Sequence, residues 1–173
     1  RQLIGQVADH LEPGGIAQLL ANWVVHDPEQ WDVRIREWVE STGLDAWVVQ
    51  RELADPVSYV SLWTADAGED VRDSAERAAR WLDWFDQNGI AGIGMGLVIL
   101  RKPAATDDAR DPDVVIEEIT GAGQEVTGFE AQAYWKRRDH LREIDDATLL
   151  TKHVTTAPVF LETQSLPGED GWQ

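Results

Sequence analysis

The chain of 173 residues carries 32 acidic and 15 basic side chains, a formal net charge of −17 at pH 7, and no cysteine. This length suffices for one buried core, whereas the missing thiols exclude disulfides and cysteine-based metal or nucleophilic chemistry. The negative charge opposes nucleic-acid binding, which relies on Lys and Arg beside phosphates. No apolar run reaches the roughly 20 residues of a membrane span, and a signal-peptide pattern is missing. We therefore expect a cytoplasmic protein without membrane or nucleic-acid partners.

The first segment predicts a helix followed by a buried strand. Apolar residues recur every three or four positions over 2–12, as on one face of an amphipathic helix, and Pro13-Gly14-Gly15 ends this pattern. Residues 16–25 are mostly apolar with β-branched ends, which favours a strand, although Leu19-Leu20-Ala21 at its centre is also compatible with a helix.

Two Asp-Pro pairs mark the starts of helices. Asp27-Pro28 offers an N-cap and a proline at the first helical position, with Gln30 placed to close a capping box. Thr42-Gly43 would end this helix, and residues 44–50 then predict a short buried strand. Asp55-Pro56 opens a second, short helix.

The remaining elements follow from the same signals. A helix is predicted over 71–87 with Asn88-Gly89 as its C-cap, and a long strand over 90–101. The acidic residues 104–113 predict an exposed loop. Beyond this loop the patterns predict a strand over 114–119, a turn region over 121–128, helices over 129–142 and 145–152, and a strand over 159–163. This alternation is typical of an α/β fold with a largely parallel sheet and helices on both faces.

Three glycines, Gly92, Gly94 and Gly96, alternate along the predicted strand over 90–101. A phosphate-binding loop needs a glycine turn between a strand and the N-terminus of a helix. Here the glycines follow a helix and lie inside the strand. A structural role is therefore favoured over cofactor binding, because positions without a side chain let a helix or neighbouring strand approach closely.

No motif assigns catalytic residues or metal ligands. The histidines His10, His26, His140 and His153 lack ligand spacing. His26-Asp27 follows a strand end, where α/β enzymes place functional groups, but an exposed residue at a helix entry is the favoured interpretation. A Gly-x-Ser-x-Gly elbow and a phosphate loop are both missing. Acidic residues are so numerous that two carboxylates near each other carry no information about acid–base catalysis.

A longer pattern resembles class I S-adenosylmethionine-dependent methyltransferases. Residues 7–15 form a helix end with Leu-x-Pro-Gly-Gly, as before the fifth sheet strand of that family. The resemblance, to an actinobacterial-type group related to release-factor glutamine and ribosomal RNA guanine methyltransferases, extends over residues 1–102. It is also carried by Gln18–Val24, Asp45–Arg51, Trp81–Phe85 and Ile93–Gly96.

The resemblance implies a partial Rossmann-like methyltransferase sheet, strands five to seven with flanking helices, over 1–102. An acidic loop over 103–113 and a small α+β extension over 114–173 would follow it. In the family the last of these strands is antiparallel and lies between the other two. We therefore expect the strand over 93–100 between those over 16–24 and 46–50.

The family's glycine-rich cofactor loop and Asn-Pro-Pro-Tyr-type motif do not occur in this sequence. Both would lie upstream of Arg1, so both ends of the chain are expected inside a longer polypeptide. S-adenosylmethionine would bind only in that full-length parent, an N-methyltransferase acting on protein or nucleic acid, and this portion would be inactive. Its partner would be the missing N-terminal half, and an uncovered sheet edge favours a homodimer.

Five residues would face the substrate side of the resembled fold, at or after the ends of the first two strands. They are Asn22, Trp23, Gln50, Arg51 and Trp63. Each also has a structural interpretation: the tryptophans as packing residues, and Gln50 and Arg51 as solvated strand ends. A second functional hypothesis is a non-catalytic acidic α/β interaction module, favoured by the negative charge and by the missing catalytic motifs.

Overall fold

The computed structural model describes residues 2–66, 71–104, 110–119, 126–156, 167–168 and 171–172. Their contacts divide the chain into two units, Arg1–Gly128 and Phe129–Gln173. The strand predicted over 159–163 and most of the turn region over 121–128 lie outside the described residues. About half of the loop predicted over 104–113 lies outside them as well.

Among its described residues, the first unit contains four α-helices and four strands. In chain order they are α1 (Gln2–His10), β1 (Ile16–Val25), α2 (Val33–Glu40), β2 (Asp45–Ala54), α3 (Pro56–Asp66), α4 (Val71–Gln87), β3 (Gly92–Arg101) and β4 (Val114–Glu118). These elements match the predicted ones, and β1 is a strand as favoured. Strand β2 runs beyond the predicted end at Gln50, because a bulge lets it continue pairing with β3.

The first Asp-Pro pair starts a single 3₁₀ turn, Pro28–Gln30, instead of the long helix that was predicted. The Asp27 carboxylate accepts hydrogen bonds from the Glu29 amide at 2.9 Å and from Gln30 Nε2 at 3.2 Å. Gln30 therefore binds the cap side chain, whereas a capping box requires it to bind the backbone of the cap. The α-helix proper begins only at Val33.

The sheet has the strand order β1-β3-β2-β4. Strand β3 is antiparallel to both β1 and β2, and β4 is parallel to β2. The predicted position and direction of β3 are thus confirmed. The expectation of a largely parallel sheet, taken from the alternation of elements alone, is wrong. The chain leaves β2 at Ala54 and returns beside it at Ile93 after two helices, so β3 runs back in the opposite direction.

Helices cover both faces of this sheet, as predicted. On the α1–α2 face, Ile4, Val7, Ile35 and Val39 are buried against strand residues such as Val98. On the α3–α4 face, Val60 and Phe85 are buried with Ile90 and Ile93. Because successive strand residues point to opposite faces, the central strand β3 contributes Val98 and Leu100 to the first cluster and Ile93 and Met95 to the second.

The second unit contains α5 (Gly128–Glu143), which extends from the end of the first unit, and α6 (Asp146–Leu150). Both helices were predicted, and the Asp145 carboxylate caps α6 by accepting a hydrogen bond from the Thr148 amide at 2.7 Å. Two short antiparallel strands, β5 (Pro167–Gly168) and β6 (Gly171–Trp172), were not predicted. Within the described ranges no helix has the length and apolar character needed to cross a membrane.

Candidate functional site

The five residues predicted on the substrate side separate onto the two faces of the sheet. Asn22, Arg51 and Trp63 line one groove beside α3. Trp23 and Gln50 are buried with the strand residues of the α1–α2 face. The separation follows from strand geometry, because neighbours in a strand point in opposite directions. The structure therefore brings Asn22, Arg51 and Trp63 together. It places Trp23 and Gln50 on the opposite face of the sheet.

The first three residues line a groove of about 610 Å³, which we call the substrate-side groove. Its lining is mostly aliphatic, from Leu20, Leu62, Met95 and Leu97, with Asn22, Arg51, Glu52 and Trp63 as polar and aromatic members. Leu20 is 86% exposed, so the groove opens to solvent over β1. Asn22 Nδ2 donates a hydrogen bond to the Tyr59 hydroxyl at 3.2 Å, which connects β1 to α3. An apolar groove with a few polar groups suits binding of an organic ligand.

Arg51 lies in this groove at a β-bulge of β2. Gln50 pairs with Gly96 and Glu52 pairs with Met95, so Arg51 is the extra residue between two consecutive positions of β3. A bulge re-aims a side chain and increases the local twist of the strand. No pattern in the sequence indicates this bulge, because a bulge depends on the partner strand.

On the opposite face, Trp23 and Gln50 both approach Gly94 of β3. A Cβ at Gly94 would lie 2.6 Å from Gln50 Oε1 and closer still to the Trp23 indole. Gln50 Nε2 donates to Glu118 Oε1 at 3.2 Å. Trp23 Nε1 and Gln50 Oε1 are buried and have no hydrogen-bond partner among the described residues. An unsatisfied donor and acceptor thus lie side by side next to the glycine, and such groups are costly when buried.

The alternating glycines serve close packing between strands. The missing Cβ at Gly92 would meet Leu53 and the Ala54 carbonyl, and that at Gly96 would meet the Val49 carbonyl. The nearest atoms to all three added carbons belong to residues of the neighbouring strands β1 and β2, so the strand is the close neighbour that is observed. Since the space beside these glycines is already occupied, it offers no cradle for a phosphate or cofactor.

The strongest electrostatic site lies at the other end of the sheet and was missed from the sequence. The buried Asp45 carboxylate accepts bonds from Arg101 Nη2 at 2.8 Å and from Arg110 Nη1 and Nη2 at 2.6 Å. It also accepts a bond from the Asp113 amide at 2.8 Å. Burial alone would raise the pKa of Asp45, but the bonds from Arg110, Asp113 and Arg101 outweigh it and lower the pKa to about 2. This cluster ties the start of β2 to the end of β3 and to the start of β4.

His26 lies at the end of β1 and is exposed, as predicted. Its Nδ1 donates to the Gly89 carbonyl at 2.9 Å. The ring borders a groove of about 290 Å³ that Gln30, Trp31, Arg34 and Glu37 also line. None of these side chains is arranged with His26 as a hydrogen-bonded catalytic pair in the contacts of the described residues.

In the parts of the chain that the structure describes, no group of three or more His, Asp or Glu side chains could hold a metal ion. Comparison with protein-family models and with curated proteins finds no match to this chain. The features of this chain that bear on its function are therefore the sheet topology and the local chemistry of the grooves.

Proposed function

We propose that the chain is the C-terminal portion of an S-adenosylmethionine-dependent methyltransferase whose parent methylates nitrogen in a protein or nucleic acid. One observation carries the proposal: β3 runs antiparallel between β1 and β2. This order is the one that the sequence resemblance predicted, and it differs from the largely parallel sheet that the alternation of elements predicted. A parent enzyme in the cytoplasm is the natural setting for this proposal.

The described glycines do not fit a cofactor site in this portion. Gly14 and Gly15 form a turn before β1, whereas a cofactor loop follows a strand and precedes a helix. Gly92, Gly94 and Gly96 are packed against neighbouring strands. S-adenosylmethionine would therefore be held by the upstream half, and this portion alone would be inactive.

The substrate-side groove is the part of this chain that would contact the methyl acceptor. Asn22 and Arg51 lie towards the carboxyl ends of β1 and β2, where open α/β sheets bind ligands. An amide and a guanidinium offer hydrogen bonds to carbonyl or phosphate oxygens, and Trp63 offers an apolar face that is 45% exposed. These groups would position the acceptor without taking part in the bond changes.

Strand β1 provides the edge on which the upstream half would dock. It pairs only with β3 among the described residues and carries no charged residue from Ile16 to Val25. Edge strands are normally protected by charges, prolines, bulges or short length. β1 has ten residues and lacks these features, unlike the five-residue β4 with its two glutamates. Without the upstream half, a second copy of the chain would take the same edge.

The test compares this chain with its parent. The gene upstream should encode a glycine-rich loop followed by an Asn-Pro-Pro-Tyr-type motif. The full-length protein should transfer labelled methyl groups from S-adenosylmethionine to protein or nucleic acid, and calorimetric titration of this chain should show no binding. An upstream sequence that lacks these motifs would overturn the methyltransferase assignment. Micromolar binding of S-adenosylmethionine by this chain would show that the cofactor site lies in this portion and not in the upstream half.

Variants of the parent test the groove. Asn22→Ala and Arg51→Ala should raise the KM for the acceptor about tenfold and leave the KM for S-adenosylmethionine unchanged, since uniform binding contacts act on KM. Asp83→Ala, on the exposed side of α4, is the control. If the variants raised the KM for S-adenosylmethionine as much as the KM for the acceptor, Asn22 and Arg51 would not act on the acceptor alone.

The second candidate function is a non-catalytic acidic interaction module. The net charge of −17 favours it. This module would bind a basic protein partner with an affinity that falls as salt increases. A parent that transfers no methyl group but binds such a partner would favour this alternative.

A further inference from the structure

Four aromatic side chains of α3 and α4 surround a pocket that the proposed function does not use. Tyr59, Trp81, Trp84 and Phe85 line about 360 Å³. We propose that this pocket binds the quaternary ammonium group of a small choline-like molecule. This proposal does not depend on the methyltransferase assignment.

The rings are arranged as walls of a pocket. Phe85 meets Tyr59 at a centroid distance of 6.3 Å and Trp84 at 5.6 Å, with an interplanar angle of 61° in both pairs. Phe85 is buried, whereas Trp84 is 53% exposed and Trp81 is 38% exposed. Phe85 therefore forms the floor, and the two indoles form a rim that remains open to solvent.

The lining selects for a cation without N–H groups. Aromatic faces, those of tryptophan most strongly, attract a positive charge through their quadrupole. An ordinary ammonium brings N–H donors that need acceptors, and the lining of this pocket is formed by the four aromatic side chains. A quaternary ammonium has a diffuse charge and an apolar methyl surface, so it loses no hydrogen bond on entry.

The charge of the chain favours the same ligand. A net charge of −17 raises the local concentration of cations and repels anions. Helix α4 itself carries four carboxylates against three guanidinium groups, two of which, Arg77 and Arg80, precede the indoles by one turn. The charge of the whole chain therefore favours a cationic ligand over a phosphate or carboxylate.

The experiment compares choline with dimethylbutanol, the neutral isostere in which carbon replaces the charged nitrogen. Binding to the full chain is followed by tryptophan fluorescence and by calorimetry at low salt. We expect choline to bind about five- to tenfold more tightly than the isostere, the range that a partly exposed cation–π site provides. Equal affinity for the two compounds, or no binding of choline in the millimolar range, would overturn the proposal.

Substitutions of Trp84 separate the contribution of its aromatic ring to choline binding from that of its apolar volume. Trp84→Phe should weaken choline binding slightly and Trp84→Leu by about threefold, whereas binding of the isostere should change less than that of choline in both variants. Because Trp84 is half exposed, these variants should fold, which an unchanged thermal midpoint verifies. Phe129→Leu is the control, since Phe129 is exposed and lies outside the pocket. A Trp84→Leu protein that retains full choline affinity would refute the aromatic site.

Discussion

The indole of Trp23 lies against Gly94 of the paired strand, in the space that a β-carbon would need. Gln50 approaches the same glycine from the other neighbouring strand, and its Oε1 atom and Trp23 Nε1 are both buried without a partner among the described residues. Two large side chains therefore share one position on the sheet because the residue between them is glycine. Packing of the α1–α2 face depends on this position.

Gly94→Ala should destabilise the chain by about 1–3 kcal/mol, the usual cost of overpacking a filled core. The added carbon would lie 2.6 Å from Gln50 Oε1, so both neighbouring side chains would have to move. Urea unfolding followed by tryptophan fluorescence measures the change in the free energy of unfolding.

Gly5→Ala is the matched control for this substitution. Gly5 lies within α1, and a Cβ there would meet nothing within 4 Å. Alanine should stabilise this helix by about 0.5–1 kcal/mol relative to glycine. If Gly94→Ala and Gly5→Ala shifted the midpoint in the same direction, close packing at Gly94 would not be the cause.

The Asp45 cluster predicts a loss of stability in acid. Its pKa is lowered from 3.8 to about 2 in the folded chain. A lowered pKa stabilises the fold above the unfolded value, so the contribution is complete above about pH 4 and is lost as the pH falls towards 2. A shift of this size corresponds to roughly 2 kcal/mol. The free energy of unfolding should therefore fall by about this amount from pH 5 to pH 2 on account of Asp45.

Asp45→Asn isolates this contribution from that of the other carboxylates. The variant should lose about 3 kcal/mol at pH 7, because Arg101 and Arg110 would lose the buried charge of Asp45. It should also show a smaller loss between pH 5 and pH 2 than the original chain. Asp83→Asn, on an exposed helix surface, should change neither quantity. Parallel pH profiles for Asp45→Asn and the original chain would rule out the cluster as the cause.

Gln50→Leu should leave stability unchanged or raise it. The substitution keeps a side chain of similar size and removes a buried acceptor that has no partner among the described residues. Replacing an unsatisfied polar group by an apolar one of the same shape is close to neutral or favourable. The exposed Glu118 would lose its bond from Gln50 Nε2 but remain solvated. A drop in the thermal midpoint would mean that the Gln50 carboxamide has a partner that stabilises it.

The local elements were predictable because their signals lie within short segments. Apolar periodicity marked α4, and β-branched residues at both ends marked β1. The order of the strands required the resemblance to a family, since alternation of helices and strands indicated parallel pairing. The short strands β5 and β6 pair over two residues each, too few to leave a pattern in the sequence.

The substrate-side set was only partly predictable because it depends on which face each residue occupies. Trp23 and Gln50 were grouped with Asn22 and Arg51 by their nearness in sequence, yet neighbours in a strand diverge. Arg51 lies at a bulge whose position depends on the pairing partner. The Asp45 cluster joins residues 56 and 65 positions apart, and in so acidic a chain no spacing distinguishes this carboxylate from the others.

Leu20→Lys should prevent self-association of the chain. Leu20 lies at the centre of β1 and is 86% exposed, so the substitution should not disturb folding. A lysine on an edge strand opposes pairing with another strand, because its charge would have to be buried in the new sheet. Analytical ultracentrifugation should show a dimer for the original chain and a dissociation constant at least about tenfold higher for the variant, a difference of about 1.4 kcal/mol.

Leu150→Lys is the matched control, since Leu150 is 87% exposed in α6 and lies outside the sheet. Dimers of equal strength in both variants would show that association uses another surface, and a monomeric original chain would show that the β1 edge does not pair with itself.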